Sequence, residues 1–235
     1  MSGHDEYHNG GGSVQPLFAH QPQDLIDHVR SYWDGLRDAR DVPDRSDITP
    51  TGIGAALEYA FLLERVAMGA ARFRLAGQHL IDLMGMEVRG MPLCTLVNPG
   101  SRGRLSDVLE TVFRAPQIAQ LSLHAPADYG RPELQAQVIL LPLRSDLGDV
   151  TRALGCLVAH PAPGLAPRRF DLADDAVLPI LPGGITMEPS PSLTPRRPVR
   201  SRAQPDSETP APQPPVNRLD STEKRRAMFR VISND

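Results

Sequence analysis

The spacing of apolar residues predicts a mixed α+β domain that begins with an amphipathic helix over Pro22–Arg40. Acidic residues come early in this stretch and basic residues late, an order that suits the helix dipole. Thr49 followed by Pro50 predicts the start of a second, short helix that runs to Glu58. The apolar stripe of the first helix consists of Leu25, Ile26, Val29, Trp33 and Leu36.

The stretch Phe61–Gly90 predicts a strand, a turn, a second strand and a short helix. Tyr59–Val66 is an almost continuous apolar run, and Ala71–Leu75 alternates polar and apolar residues with the period of two that is typical of a half-buried strand. A short helix is predicted over Gln78–Met84. Gly85 then suits the left-handed backbone position that commonly ends a helix.

Two further helical stretches and three strands complete the predicted sheet. Met91–Val97 predicts a short helical turn, and Arg102–Ala115 carries a regular apolar stripe. Three apolar runs follow, at Gln117–His124, Leu134–Leu143 and Thr151–Ala159, joined by links short enough for antiparallel neighbours. The pattern therefore predicts an α+β fold with a five-stranded antiparallel sheet, in which the short helices cross from the second strand to the third.

Composition divides the chain into four parts. Residues 1–21 are polar and glycine-rich and predict a disordered arm, because they cannot bury enough apolar surface to offset the entropy of ordering. Residues 22–165 have the composition of a core-forming domain, and 166–188 predict a partly ordered extension, with one short ordered segment from Asp171. Residues 189–235 are rich in proline and predict a disordered tail.

Charge and motif content exclude several classes of function. The net charge of −3 argues against a broad nucleic-acid interface and gives no reason to expect membrane binding. The two cysteines are too few for a disulfide framework or a structural zinc site. No P-loop, zinc-protease helix, C-x-x-C motif or nucleophile elbow occurs. With no secretion-signal pattern at the start, the sequence predicts a cytoplasmic, non-catalytic protein without metal or cofactor.

The combination of several short motifs resembles one family of sensor domains. The motifs are Tyr32-Trp33 with Leu36, Arg37 and Arg40, Pro43–Pro50, Ala60–Glu64, Phe73–Gly77, Gly85 with Gly90, Leu141–Leu143 and Leu154-Gly155. Over roughly residues 22–165 the chain is similar to the small PAS-like proteins of alphaproteobacteria, the PAS_5 group. The resemblance implies a PAS sensor or interaction module without catalytic residues. Some members of the group are similar to regulators of motility and of cell-cycle signalling.

A PAS fold implies a space between the sheet and the crossing helices that either holds a small ligand or is filled by side chains. His79 is a candidate haem ligand that we expect to be exposed, and Cys94 lacks the flanking residues of a photoactive cysteine. Cys156 is expected to be a small buried hydrophobe. The expected lining residues are Phe61, Leu63, Phe73, Leu75, Leu80, Leu83, Leu96, Leu109, Val112, Phe113, Val138, Leu140 and Leu157.

Two functions remain open at this point. The first is a stand-alone PAS regulator that contacts a signalling protein or a second copy of itself, and the alternative is a sensor that binds a small molecule or cofactor. Trp33 and Leu36 either pack the first helix onto the domain or face a partner. Met228 and Phe229, near the end of the tail, belong to a docking motif, a strand that returns to the domain, or an unstructured end.

Overall fold

The fold is built on one antiparallel sheet in the computed structural model, which describes residues 21–38, 40–180 and 186–189. Its strands pair in the order β2-β1-β5-β4-β3-β6. The strands are β1 (Ala60–Ala67), β2 (Ala70–Ala76), β3 (Ile118–Ala125), β4 (Leu134–Arg144), β5 (Val150–His160) and β6 (Asp171–Leu178). The helices are α1 (Pro22–Gly35), α2 (Pro50–Ile53), α3 (Gln78–Met84) and α4 (Arg102–Arg114). Short 3₁₀ turns cover Arg45–Asp47, Gly54–Ala56, Leu93–Leu96 and Pro99–Ser101.

The α+β class and the antiparallel sheet are confirmed, but the predicted number of five strands is wrong. The described residues form six strands, because β6 adds to the edge of the sheet beside β3. The β6 segment escaped the strand prediction because Asp171, Asp174 and Asp175 interrupt its apolar pattern. Since an edge strand has few buried positions, its sequence alternates only weakly.

Three predicted helices are shorter in the structure. The first ends at Gly35 instead of Arg40, and the second changes to a 3₁₀ turn at Gly54, whose φ of 55° lies outside the helical region. The third, Met91–Val97, is only the 3₁₀ turn Leu93–Leu96.

Two apolar layers cover the two faces of the sheet. The inner layer lies between the sheet and helices α3 and α4, and it includes Phe61, Leu63 and Leu83. The outer layer lies between the sheet and α1, and it includes Leu62 and Val29. Neighbouring residues of β1 therefore point to opposite layers, as the period of two along a strand requires.

Trp33 anchors helix α1 to the outer face of the sheet. Its side chain has no exposed surface, and its indole Nε1–H donates to the carbonyl oxygen of Pro142 at 2.9 Å. Leu36 is partly buried against the same layer. The partner-facing alternative for Trp33 is therefore wrong, because a buried side chain cannot contact another protein. Met228 and Phe229 lie outside the described residues.

The two outermost strands of the sheet have different surroundings. Beside β2, the backbone of Phe73 exchanges hydrogen bonds with Gly90 and Met91, at 2.8 and 3.0 Å. Directly before β3, which pairs with β6, the side-chain amide of Gln117 holds the backbone of Met187 through two hydrogen bonds of 2.9 and 3.3 Å. Among the described residues, no helix has the length and apolar content needed to cross a membrane.

Candidate functional site

The inner layer contains every predicted cavity-lining residue except Leu75. Leu75 is 45% exposed and lies opposite Leu62, on the outer face of the sheet. The cause is an irregularity in the pairing of β1 with β2, where Leu62 pairs with Leu75 but Leu63 pairs with Phe73. Arg74 is the extra residue, and an extra residue reverses the faces of the positions beyond it. The prediction that Leu75 lines the cavity is therefore wrong, because its side chain lies on the outer face of the sheet.

Side chains fill the part of the inner layer, between the sheet and the crossing helices, where a PAS ligand would lie. Leu63, Phe73, Leu80 and Leu83 have no accessible surface at all. The rings of Phe61 and Phe73 pack edge to face with centroids 5.4 Å apart. Because a cavity that holds water would leave part of its lining accessible, the space next to these side chains is closed by their mutual packing.

His79 is half-buried, so the expectation that it is exposed is wrong. Its Nε2 accepts a hydrogen bond from the backbone N–H of Ala159 at 3.1 Å. Pairing between β1 and β5 ends at Ala60 and Cys156, and the imidazole takes the place of a strand partner beyond that point. Since Nε2 is occupied in this way, it is not free to ligate a haem iron.

Acid is expected to weaken the folded state through His79. Burial lowers the pKa of its imidazole from the usual 6.5. Below that pH the unfolded chain binds more protons than the folded chain, so stability falls as the pH drops through about 6.5. We expect His79→Gln, which keeps an acceptor but does not titrate, to lie within about 1 kcal/mol of wild type at pH 7.5.

Urea unfolding at pH 7.5 and at pH 5.5 measures this effect, and the loss of stability between the two should be smaller in His79→Gln than in wild type. His160→Gln replaces an exposed imidazole at the end of β5 and serves as the control. An equal loss in wild type and His79→Gln would contradict this role for His79.

The remaining candidate ligands do not form a reactive site. Burial raises the pKa of the Cys156 thiol to about 12, which keeps it protonated and inert, as expected for a small buried hydrophobe. Cys94 is partly buried. His124 is paired with Glu133 at 3.0 Å. Within the described ranges, no three His, Cys, Asp or Glu side chains are grouped in a way that could hold a metal ion.

Beyond Leu62, the outer face of β1 and the adjoining face of β2 lie outside the apolar layer that α1 covers. We define the outer patch as Glu64, Val66, Arg72, Arg74, Leu75 and Arg152. Among these residues Val66 is 52% exposed and Leu75 is 45% exposed. Protein contact surfaces commonly combine exposed apolar side chains with charged groups, as this sheet face does.

Glu64 is the centre of the charges in the outer patch. Its carboxylate pairs with the guanidinium groups of Arg72 at 2.7 Å, Arg152 at 2.8 Å and Arg74 at 3.1 Å. The hydrogen bond from Arg72 is the main cause that lowers the pKa of Glu64, and the charges of Arg152 and Arg74 add to it. Three positive charges against one negative charge leave two in excess, so the patch is positively charged.

Sequence reasoning identified the alternation Arg72, Phe73, Arg74, Leu75 but gave its arginines no role. Their grouping depends on the irregular pairing that turns Leu75 outward and on the register that sets Arg152 opposite Glu64. The signal in the sequence was limited to the two arginines of β2, Arg72 and Arg74. Glu64 and Arg152 lie on other strands, so their contacts with these arginines are known only once the strand pairing is known.

The family assignment agrees with this architecture. A family model described as a PAS domain, PAS_5, matches residues 22–158, which is more than half of the chain. The matched range begins with α1 and ends within β5, so it includes most of both apolar layers and the whole outer patch. Neither the curated proteins nor the solved structures include a significant match. The chain therefore belongs to the PAS_5 family of PAS domains.

Proposed function

We propose that this protein is a non-catalytic PAS regulator that binds an acidic surface of a signalling protein through its outer patch. PAS domains are in general sensory and regulatory modules, and the family assignment supports that part of the function. The observation that carries the proposal is the uncovered, positively charged sheet face around Glu64. Regulation of motility or of the cell cycle, implied by resemblance, is the setting we propose for it.

The chemistry of the outer patch favours a protein partner with carboxylates. Guanidinium groups form paired hydrogen bonds with carboxylates, and arginine is enriched at protein interfaces. The side chains of Arg72 and Arg74 are 43% and 53% exposed, so both keep donors that Glu64 does not use. Leu75 and Val66 supply apolar area beside them. A stable interface covers about 800 Å² on each partner, so this patch would be the centre of a larger contact.

The alternative function, a sensor with a ligand in the inner layer, has less support. The side chains that would line the ligand site, such as Leu63, Phe73 and Leu80, are fully enclosed by one another. An absorption spectrum and a native mass spectrum of the purified protein distinguish the two functions. A chromophore or a bound small molecule would favour the sensor.

Reversing one charge of the outer patch is expected to weaken partner binding about 10- to 100-fold. Arg74→Glu places a carboxylate beside Glu64, and because Arg74 is half exposed the fold should be kept. The partner is recovered from the native host with the wild-type protein and identified by mass spectrometry. Its affinity for both proteins is then measured by calorimetry at two salt concentrations.

Arg102→Glu makes the same change at an exposed position at the start of α4 and is the matched control. Equal affinity of wild type and Arg74→Glu would show that the partner uses another surface. If the wild-type protein recovers no partner and stays monomeric in size-exclusion chromatography with light scattering, regulation through protein contacts loses its support.

A further inference from the structure

A second surface with unusual charge lies where two loops meet, away from the outer patch. A groove of about 420 Å³ lies between the loop after β3 and the loop before β6. We call it the loop groove, and its polar lining consists of Asn98, Asp128, Arg131, Arg168 and Arg169. The volume falls in the range of sites for small molecules.

Arg168 is the most unusual residue of the loop groove. It is only 2% exposed, yet no carboxylate among the described residues forms an ion pair with it. Its guanidinium donates instead to the carbonyl oxygens of Pro163 and Pro132. Burial is the main cause that lowers the pKa of Arg168, and the charge of Arg131 lowers it further, while the charge of Asp128 acts in the opposite direction. A buried charge without a carboxylate in direct contact is costly, because neutral carbonyls replace only part of its hydration.

The positive charges of the loop groove outnumber its negative charge. Arg131, Arg168 and Arg169 contribute three positive charges, and Asp128 contributes one negative charge, which leaves two in excess. Asp128 is 3.8 Å from Arg131, so the nearest carboxylate is already engaged by another arginine. Holding like charges together is unfavourable unless an anion joins them.

Close packing of the two loops fixes the position of these arginines. Leu165 N–H donates to the carbonyl of Gly130 at 3.1 Å, and Arg131 Nε donates back to the carbonyl of Leu165 at 3.2 Å. A Cβ atom on Gly164 would lie 2.6 Å from Pro132, so only glycine allows the approach. The guanidinium of Arg168 is therefore held in place before any ligand arrives, which reduces the entropy cost of binding.

From this arrangement we propose that the loop groove binds a small organic anion that presents a phosphate or carboxylate group to Arg168 and Arg131. A guanidinium has five N–H donors, and Arg168 uses only two of its side-chain nitrogens on carbonyls. The remaining donors match the oxygens of a phosphate or a carboxylate. Such a ligand would supply the direct ion pair that the described part of the chain does not give Arg168.

The backbone around Arg168 connects the loop groove to the core. Its N–H donates to the carbonyl of Leu83 in α3 at 2.7 Å, and Phe170, two residues later, donates to Leu96 at 2.9 Å. Phe170 is fully buried in the inner layer, and β6 begins at the next residue. Ligand binding at Arg168 therefore restrains the segment that joins α3, the core and the edge of the sheet.

Calorimetric titration of the full chain with glycerol 3-phosphate and with succinate tests the proposal. Glycerol, and sodium chloride at matched ionic strength, are the reference titrants, because general screening affects all exposed charges alike. We expect one saturable site per chain for at least one anion. Binding of only glycerol 3-phosphate would assign a phosphate ligand, and binding of only succinate a carboxylate ligand.

Matched variants place the bound anion. Arg131→Gln is expected to weaken binding about tenfold, whereas Arg114→Gln, an exposed position at the end of α4 outside both the loop groove and the outer patch, should leave it unchanged. Arg168→Gln risks misfolding because the side chain is buried, so Arg168 is followed in the wild-type protein instead. Its Nε–H resonance in a ¹⁵N spectrum should shift at saturation.

Two results would overturn the proposal. One is the absence of binding above the salt reference for both anions. The other is saturable binding that Arg131→Gln keeps at the wild-type affinity, with no change at the Arg168 resonance. Neither result bears on the protein contact proposed for the outer patch, which is tested by a different partner.

Discussion

Replacing Trp33 with alanine is expected to lower the free energy of unfolding by about 3–5 kcal/mol, a large part of the stability of a domain this size. Trp33 is fully buried and is the largest side chain that joins α1 to the sheet. The change opens a cavity in the outer layer and removes the hydrogen bond from the indole N–H to Pro142. Both effects favour the unfolded state.

Urea unfolding followed by far-ultraviolet circular dichroism measures this loss, because the chain contains one tryptophan and its fluorescence disappears in the variant. Trp33→Phe keeps much of the volume and should cost only about 1–3 kcal/mol. Tyr129→Ala removes an aromatic ring that is 94% exposed and should stay within about 0.5 kcal/mol of wild type. A Trp33→Ala protein as stable as Tyr129→Ala would contradict the anchoring role of Trp33.

Gly77→Ala is expected to destabilise the protein by about 3 kcal/mol through steric overlap with the backbone. A Cβ atom at Gly77 would lie 2.1 Å from the carbonyl oxygen of Glu58 and 2.5 Å from that of Leu57. The backbone cannot easily move away, because Gly77 N–H donates to Ala60 and His79 N–H donates to Glu58. The φ of −74° is ordinary for any residue, so lack of space is the whole cause.

Gly100→Ala is the matched control, because nothing lies within 4 Å of the position that its Cβ would take. Thermal unfolding should show a clear decrease in Tm for Gly77→Ala and almost none for Gly100→Ala. Equal melting temperatures would mean that the loop before β1 can yield, and that the junction of β2 with α3 is looser than the structure shows.

Residue spacing predicted the elements whose buried face is wide and regular. The stripe from Leu25 to Trp33 predicted α1, and the apolar runs predicted the four central strands, because much of their length is buried in the core. The edge strand β2 was predicted from its alternation of polar and apolar residues. The edge strand β6 was identified only as an ordered segment, since its side chains are mostly half-buried or exposed and its alternation is weak. A helix or strand can be predicted from sequence when its residues are buried at regular intervals.

The candidate sites were harder to predict, because they depend on registers and on loop packing. Leu75 was assigned to the wrong face since a single extra residue, Arg74, shifts the alternation within β2. The buried arginine at 168 gave no signal, because its surroundings come from loops 36 residues apart in the chain. Residue spacing reports only local periodicity, whereas the face on which Leu75 lies depends on strand pairing and the burial of Arg168 depends on loop packing.

The surroundings of the two outermost strands bear on how the protein avoids growing into larger assemblies. A strand edge with unpaired N–H and C=O groups is a template for another strand, and this is a common route to aggregation. Residues 90–92 pair with the outer edge of β2. On β6, the exposed carboxylates of Asp171 and Asp174 would repel an acidic strand, and an apolar strand would have to displace the water around them. At the ends of the described sheet, addition of a further chain is thus opposed by cover on one side and by charge on the other.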